Sequence, residues 1–403
     1  MALDALFRDE AIGGPSLILA LAFCIGLHGC AGGRSTAPLL PSSPTFLQQA
    51  AMGIGTLQTW YDPGTGLWQT TGWWNAANAV TVLADYSRLS GSSQYIAAMT
   101  NTFSINAGSG FLNNYYDDEG WWALAWMAAY DGTRNAQYLN TSEQIFADMS
   151  AGWDSTCGGG IWWNKNRKYK NAIANELFLS VAAGLAARTT GAQQASNLAW
   201  AKREWTWFSE SGMINSESLI NDGLNSSCQN NGRTTWSYNQ GVILGGLVAL
   251  SGDTGDRSLL QQAQAIALSA LAHLSDAKGI LHDPCEPNCG ADGVQFKGIF
   301  VRNLGALDAA LSLPQYEAFL ETNAKSIWTN DQGPNDQFGL VWSGPFLPAN
   351  AATQTSAIDC LLAADQAAQQ HSLREVPDYQ RGRGWREAIS AKAGLAHRPS
   401  KDS

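Results

Sequence analysis

This sequence has little charge. Asp, Glu, Lys and Arg make up only 14% of the 403 residues, and the net charge is −10. Binding nucleic acid requires a basic surface to neutralise phosphates, so no nucleic-acid partner is expected. Histidine is scarce too: His28 lies in a leader-like segment, His371 and His397 lie near the C-terminal end, and His273 and His282 stand alone. None of these suggests a Ser–His–Asp arrangement. Glycine-rich phosphate loops are absent. The cysteines do not fall into paired CxxC spacings, which weakens a zinc reading, and neither a metal site nor a cofactor is expected. The apolar stretch Leu17 to Leu27 is too short to cross a bilayer, so stable membrane insertion is not expected either. Strand-like alternation is nearly missing from the whole chain.

Tryptophan, by contrast, is abundant, with 17 copies, several of them in doublets: Trp73-Trp74, Trp121-Trp122, Trp162-Trp163, and Trp205 close to Trp207. Large half-polar rings fill cores, and they also stack on the apolar faces of sugars. Doublets beside loop and helix-start signals favour a carbohydrate groove for a minority of them. Hydrophobic residues reach 45%, enough for a sizeable core and too many for a disordered chain.

Residues 1–30 read as a signal peptide, with an apolar centre followed by small residues, although Asp4, Asp9 and Glu10 replace the usual basic start. A linker at 31–43, a catalytic domain at 44–370 and a mobile tail at 371–403 complete the expected organisation. Secretion is the expected fate, and a monomer the expected state. Beyond Cys24 and Cys30 of the leader, Cys285 and Cys289 bracket a short loop and suit a local disulfide. Cys157 and Cys228 sit in Gly/Asn-rich loops and could form a second, leaving Cys360 free; free thiols or a metal are the alternatives.

From Pro44 onward the pattern is one of amphipathic helices separated by Gly/Asn/Trp-rich loops. Helix starts are expected near Thr45, Trp74, Ser93, Glu119, Asn135, Asn171, Ala192, Thr235, Asp256, Asp292, Leu313 and Thr353. Small-residue helices such as Asn75 to Leu89 and Gly241 to Leu250 alternate with more polar ones such as Asp256 to Leu274. Ala and Gly permit close backbone approach, which suits an inner ring, while the polar helices suit an outer one. Six hairpins closed in a circle give an all-α fold, an (α/α)6 barrel; an open solenoid is the alternative.

The segment Asn113-Asn114-Tyr115-Tyr116-Asp117-Asp118-Glu119-Gly120-Trp121-Trp122 carries the sharpest chemical signal. One Asp could simply cap the helix that follows, with Glu119 complementing its dipole. That leaves the second Asp, and the aromatic residues on both sides, unexplained. Glycosidases place two carboxyls about the bond they cut. At a loop-to-helix junction, neighbouring carboxyls can face one pocket at roughly the 5 Å of retaining enzymes, which predicts double displacement. Their mutual repulsion would keep one of them protonated. Asn221-Asp222-Gly223-Leu224, taken alone, reads first as a turn. Trp236 to Gly241 could cap a helix or bind a sugar. Lys297 is an odd residue in so apolar a helix and could snorkel to solvent. All these segments begin inner-ring candidates, whose starts converge on one cleft.

Tyr116 to Trp122, Asn175-Glu176-Leu177-Phe178, Thr235 to Gly241 and Phe296-Lys297-Gly298-Ile299-Phe300 together resemble glycoside hydrolase family 76, over about Phe46 to Ala364. The resemblance implies an (α/α)6 barrel and a retaining endo-α-1,6-mannanase acting on α-1,6-mannan or mannoprotein glycans. It further implies that Asp117 is the nucleophile, Asp118 the acid/base, and Asp222 a pocket residue holding the sugar beside the cut. Trp73, Trp74, Trp121, Trp122, Tyr238, Gln240, Phe296 and Lys297 would line the groove. A fungal branch of the family is a cell-wall transglycosidase that is usually membrane-anchored. Without a C-terminal anchor signal, the degradative branch is favoured here. A catalytically dead mannan-binding protein is the remaining rival, and the intact acid pair argues against it.

Overall fold

The computed structural model describes residues 43–375. The expected signal peptide, the linker up to 42 and the tail beyond 375 lie outside them. Among the described residues the order is α1 (Phe46–Gln58), β1 (Tyr61–Asp62), β2 (Leu67–Trp68), α2 (Trp73–Ser90), α3 (Ile96–Asn106), α4 (Tyr116–Thr133), α5 (Ala136–Ala151) and α6 (Ala172–Ala186). It continues with α7 (Gly191–Glu210), α8 (Ser237–Thr254), α9 (Ser258–His273), α10 (Phe296–Leu311), α11 (Pro314–Asn330) and α12 (Ala351–Glu375). The two strands form one short antiparallel hairpin. Every expected helix start has a counterpart, the widest gap being Asp292 against Phe296.

The even-numbered helices pack as a closed ring: α2 on α4, then α6, α8, α10 and α12, with α12 returning to α2. That last contact makes the fold an all-α toroid and excludes an open solenoid. The odd-numbered helices pack outside, α1 and α11 against α12 and α3, α5, α7 and α9 against α2, α4, α6 and α8 in turn. Sequence explains the division. Every residue of α6 is buried, as in a helix apolar all round, whereas α9 buries one stripe through Leu259, Leu260, Ala263, Ile266, Ala267 and Ala270. Glycine sets the closest approaches in the ring. A Cβ on Gly241 would sit 2.5 Å from Phe300 Cα, and one on Gly298 2.4 Å from Ser356 Cα. The α12–α2 seam is tied by Arg302 of α10, which bonds Asp359 of α12 at 3.1 Å and Asn78 of α2 at 2.7 Å.

Disulfides join Cys157 to Cys228 and Cys285 to Cys289, and Cys360 is a buried free thiol. Helix α12 runs past the 370 boundary read from composition, and His371 lies 3.4 Å from Asp308 and 3.0 Å from Glu317. Among the described residues, no helix is long and apolar enough to cross a membrane.

Candidate active site

The N-terminal ends of α2, α4, α6, α8 and α10 meet at a cavity of about 600 Å³. Its wall takes Trp74 from α2, Asp117, Asp118 and Trp121 from α4, Tyr238 from α8 and Phe296 from α10. Asn171, which caps α6, and the loop residues Tyr115, Trp163, Tyr169, Asp222, Arg233 and Asp292 complete it. Tyr115 is extended just before α4, and the Tyr116 amide donates to Trp163 O at 3.0 Å, so the chain enters the helix beside the loop that precedes α6. Asp117 and Asp118 therefore fall in the first turn of α4, where unpaired backbone N–H groups favour negative charge.

Burial outweighs that help. Desolvation, reinforced by the neighbouring Asp118 charge, pushes Asp117 up to about 8, against a hydrogen bond from Trp163. Desolvation pushes Asp118 up to about 6, opposed by Asn113 and assisted by Asp292. Trp163 Nε1 donates to Asp117 Oδ2 at 3.0 Å, and Asn113 Nδ2 to Asp118 Oδ2 at 2.6 Å. Asp117 Oδ1 is buried with no protein partner. Burial and mutual repulsion both oppose full ionisation of the pair, which favours one proton held between adjacent carboxyls.

The aromatic lining is continuous. Trp74 stacks on Trp121 with ring centroids 5.5 Å apart, and Tyr238 lies flat on Phe296 at 3.7 Å. Trp74 Nε1 donates to Asp292 Oδ1 at 2.8 Å, which fixes the indole at the cavity edge. Asp222 accepts from Tyr169 OH, itself held by Asn231 at 2.8 Å, and the Ala172 amide at the start of α6 donates to Asp222 O at 2.9 Å. Burial and the Asp222 carboxylate raise the Tyr169 phenol, so it stays a donor.

The structure thus brings Asp117, Asp118, Asp222, Trp74, Trp121, Tyr238 and Phe296 together. Four expected groove residues lie elsewhere. Trp73 packs on Phe111 and Trp122, and Trp122 is fully buried against Trp126: both belong to the core, because adjacent helix residues point about 100° apart. Gln240 is buried and clamps the Ile220 backbone, accepting its N–H at 2.8 Å and donating to its carbonyl at 2.9 Å. It holds the Asp222 loop and does not line the cavity. Lys297 is also buried, 2.5 Å from Glu286, bonded to Leu340 O at 2.7 Å and lying over the Trp342 ring. Sequence reasoning missed Tyr115, Trp163, Tyr169, Asn171, Arg233 and Asp292 as cavity residues. Trp163, half of a tryptophan doublet, and Tyr115, beside the acid pair, were the two with a visible signal.

The family model described as Glycosyl hydrolase family 76 matches residues 48–373. Among curated relatives, Mannan endo-1,6-alpha-mannosidase DCW1 of Candida albicans is 29% identical over 314 residues, 67% of each chain. Mannan endo-1,6-alpha-mannosidase DFG5 of the same organism is 28% identical over 330 residues, 72% of each. Across such pairings the chain spans from 57% to 72% of the relative's own length. Among solved structures, the chain is similar to a variant of the α-1,6-mannanase GH76A of Salegentibacter sp. HEL1_6, inactivated at two consecutive aspartates and bound to α-1,6-mannotetrose. There the TM-score is 0.72 at 23% identity, covering 80% of this chain and 100% of that one. Dfg5 from Chaetomium thermophilum, in complex with glucosamine, gives a TM-score of 0.71 at 20% identity, covering 80% and 90%. At these identities the structural likeness speaks to fold alone.

Proposed function

Because the chain belongs to glycosyl hydrolase family 76, we propose that it cuts α-1,6-mannosidic bonds inside mannan by double displacement at Asp117 and Asp118. The observation that carries this reading is the pair itself: two consecutive carboxyls, both displaced upward by burial, facing one aromatic-lined cavity. The inactive Salegentibacter variant lends support, since a consecutive aspartate pair is what was replaced there.

In the proposed reaction the Asp117 carboxylate attacks the anomeric carbon and forms a glycosyl ester, while Asp118 gives its proton to the departing sugar oxygen. Asp118 then takes a proton from water, whose oxygen attacks the anomeric carbon and frees Asp117. Burial holds both carboxyls above the usual carboxylate range, which favours a protonated partner beside the nucleophile. Trp74, Trp121, Tyr238 and Phe296 offer faces for stacking sugars, and Asp222, fixed by Tyr169, accepts from sugar hydroxyls. The two disulfides fit an oxidising compartment, in keeping with secretion.

Transfer of the glycosyl ester to a sugar instead of water is the second reading. It is favoured by a neighbouring cavity of about 550 Å³, which shares Tyr169 and Arg233 with the first and could seat an acceptor. Incubating the purified protein with debranched α-1,6-mannan, with and without added mannobiose, separates the two. Short manno-oligosaccharides without acceptor support hydrolysis. Mannan fragments joined to mannobiose, formed only with acceptor, support transfer. No change in either tube rejects both.

A further inference from the structure

The motif that supplies the acid pair also carries a third acid, Glu119, which the chemistry above leaves unused. Its side chain is fully buried and does not line the cavity. Glu119 Oε1 sits 2.8 Å from Lys165 Nζ and accepts the Asn113 amide at 3.2 Å. Lys165 Nζ is also 2.8 Å from Asp148 Oδ2 on α5, and its ammonium lies over the Tyr116 ring. Lys165 thus joins three elements: α4, α5 and the loop leading to α6.

Two loops meet at this junction. Lys165 N donates to Asn114 O at 3.0 Å, and Tyr116 N to Trp163 O at 3.0 Å. Each loop then delivers one donor to the acid pair, Asn113 to Asp118 and Trp163 to Asp117. Hydrogen bonds to carboxylates are strong only at close range and good angle, so a small drift of either loop weakens the bond it supplies.

We propose that Glu119, Lys165 and Asp148 form a positioning device that locks the 113–115 and 163–165 loops together and so sets the hydrogen bonding, and hence the proton balance, of Asp117 and Asp118. Calling the pair catalytic rests on the proposed mannanase reading; the positioning itself does not. Around Lys165 the charged and titratable groups are Glu119, Asp148, Tyr116 and Arg167. Around the acid pair they are Asp292, Tyr238, Tyr115, Tyr169 and Arg233 and, through Tyr238, Asp222 and Glu176.

The test compares wild type with Lys165→Met, Lys165→Arg, Glu119→Gln and a control, Lys325→Met, taken from an exposed ion pair on α11. Two readouts are used: the pH profile of mannan cleavage, and the titration of ¹³C-labelled aspartate carboxyls without substrate. Both donors lower the aspartate they serve, so loosening them moves both titrations, and the acid limb of the profile, to higher pH. For Lys165→Met, kcat should fall about 100-fold while KM changes by less than about threefold. Lys165→Arg should recover most of the loss. Burial pushes Glu119 up to about 8 against the hydrogen bond from Lys165; Glu119→Gln keeps an oxygen for the Asn113 amide while removing the ionisable carboxyl, and should shift both readouts in the same direction but less. If Lys165→Met does not fold, Glu119→Gln decides alone. Profiles and carboxyl titrations matching wild type in the folded variants overturn the proposal, as does an equal shift in Lys325→Met. Wild type that leaves mannan uncut would sink the proposed activity, and the carboxyl titration would still decide the positioning role.

Discussion

Two ring helices, α4 and α10, each bring charge to the cavity end of the toroid, and they treat it in opposite ways. At the start of α4, Asp117 and Asp118 have one side-chain donor each, and Asp117 keeps a buried oxygen with no partner. At the start of α10, Lys297 is surrounded: Glu286, two backbone carbonyls and the Trp342 ring account for its ammonium. A buried charge with a complete set of partners holds structure together, whereas buried charges left short of partners are available to a ligand. The difference teaches that an unusual residue at a helix start becomes a candidate for chemistry only after its partners have been counted.

Breaking the α4 side should have the largest effect. Asp117→Asn and Asp118→Asn should each cut mannan hydrolysis by about 10⁴-fold, with melting temperatures equal to or above wild type, because each removes a poorly solvated acid. Steady-state assays alongside thermal melts check both halves. The next largest effect lies in the tryptophan pair that α2 and α4 divide between cavity and core. Trp122→Ala should destabilise the fold by about 4 kcal/mol, while Trp74→Ala should leave stability nearly intact and raise KM about tenfold, worth about 1.4 kcal/mol of sugar binding. Urea unfolding and initial rates measure the two. On the α10 side, Lys297→Met takes the ammonium from buried Glu286, leaving it His282 and the Asp283 amide, and should cost about 3 kcal/mol of stability, with turnover per folded molecule close to wild type.

The smallest effect is a difference in pH dependence. Asp117 and Asp118 are raised from 3.8 to about 8 and about 6, so between those limits the folded state binds more protons than the unfolded state. Their contribution to stability therefore falls as pH rises from about 4 to about 8. Glu286 is lowered by His282 and Lys297 despite its burial, so its contribution is present above its unfolded value and fades as pH drops. Denaturation across pH should show Asp117→Asn flattening the decline toward alkaline pH and Glu286→Gln flattening the decline toward acid.

The helical frame was legible because its signals are local. Small residues on the ring helices, caps such as Thr45, Asn135 and Asn171, and glycines at chain reversals sit within a few residues of the boundaries they set. The acid pair was legible for the same reason. Which member of each tryptophan doublet faces the cavity was not, since that depends on how α2 and α4 are rotated within the ring. Lys297 misled because Glu286 reaches it from a separate loop, closed by the Cys285–Cys289 disulfide, and nothing adjacent in sequence announces the contact. Asp292, Tyr169 and Arg233 arrive on loops whose course is set by tertiary contacts, and Gln240 proved to hold one of those loops in place.

The most direct test of double displacement at the α4 carboxyls is the anomeric form of the first sugar released. Proton NMR recorded as the protein cuts α-1,6-mannan should show the new reducing end appearing as the α-anomer, with β arising only later by mutarotation. A β-anomer formed first would contradict a glycosyl ester on Asp117, because a single displacement by water inverts the centre.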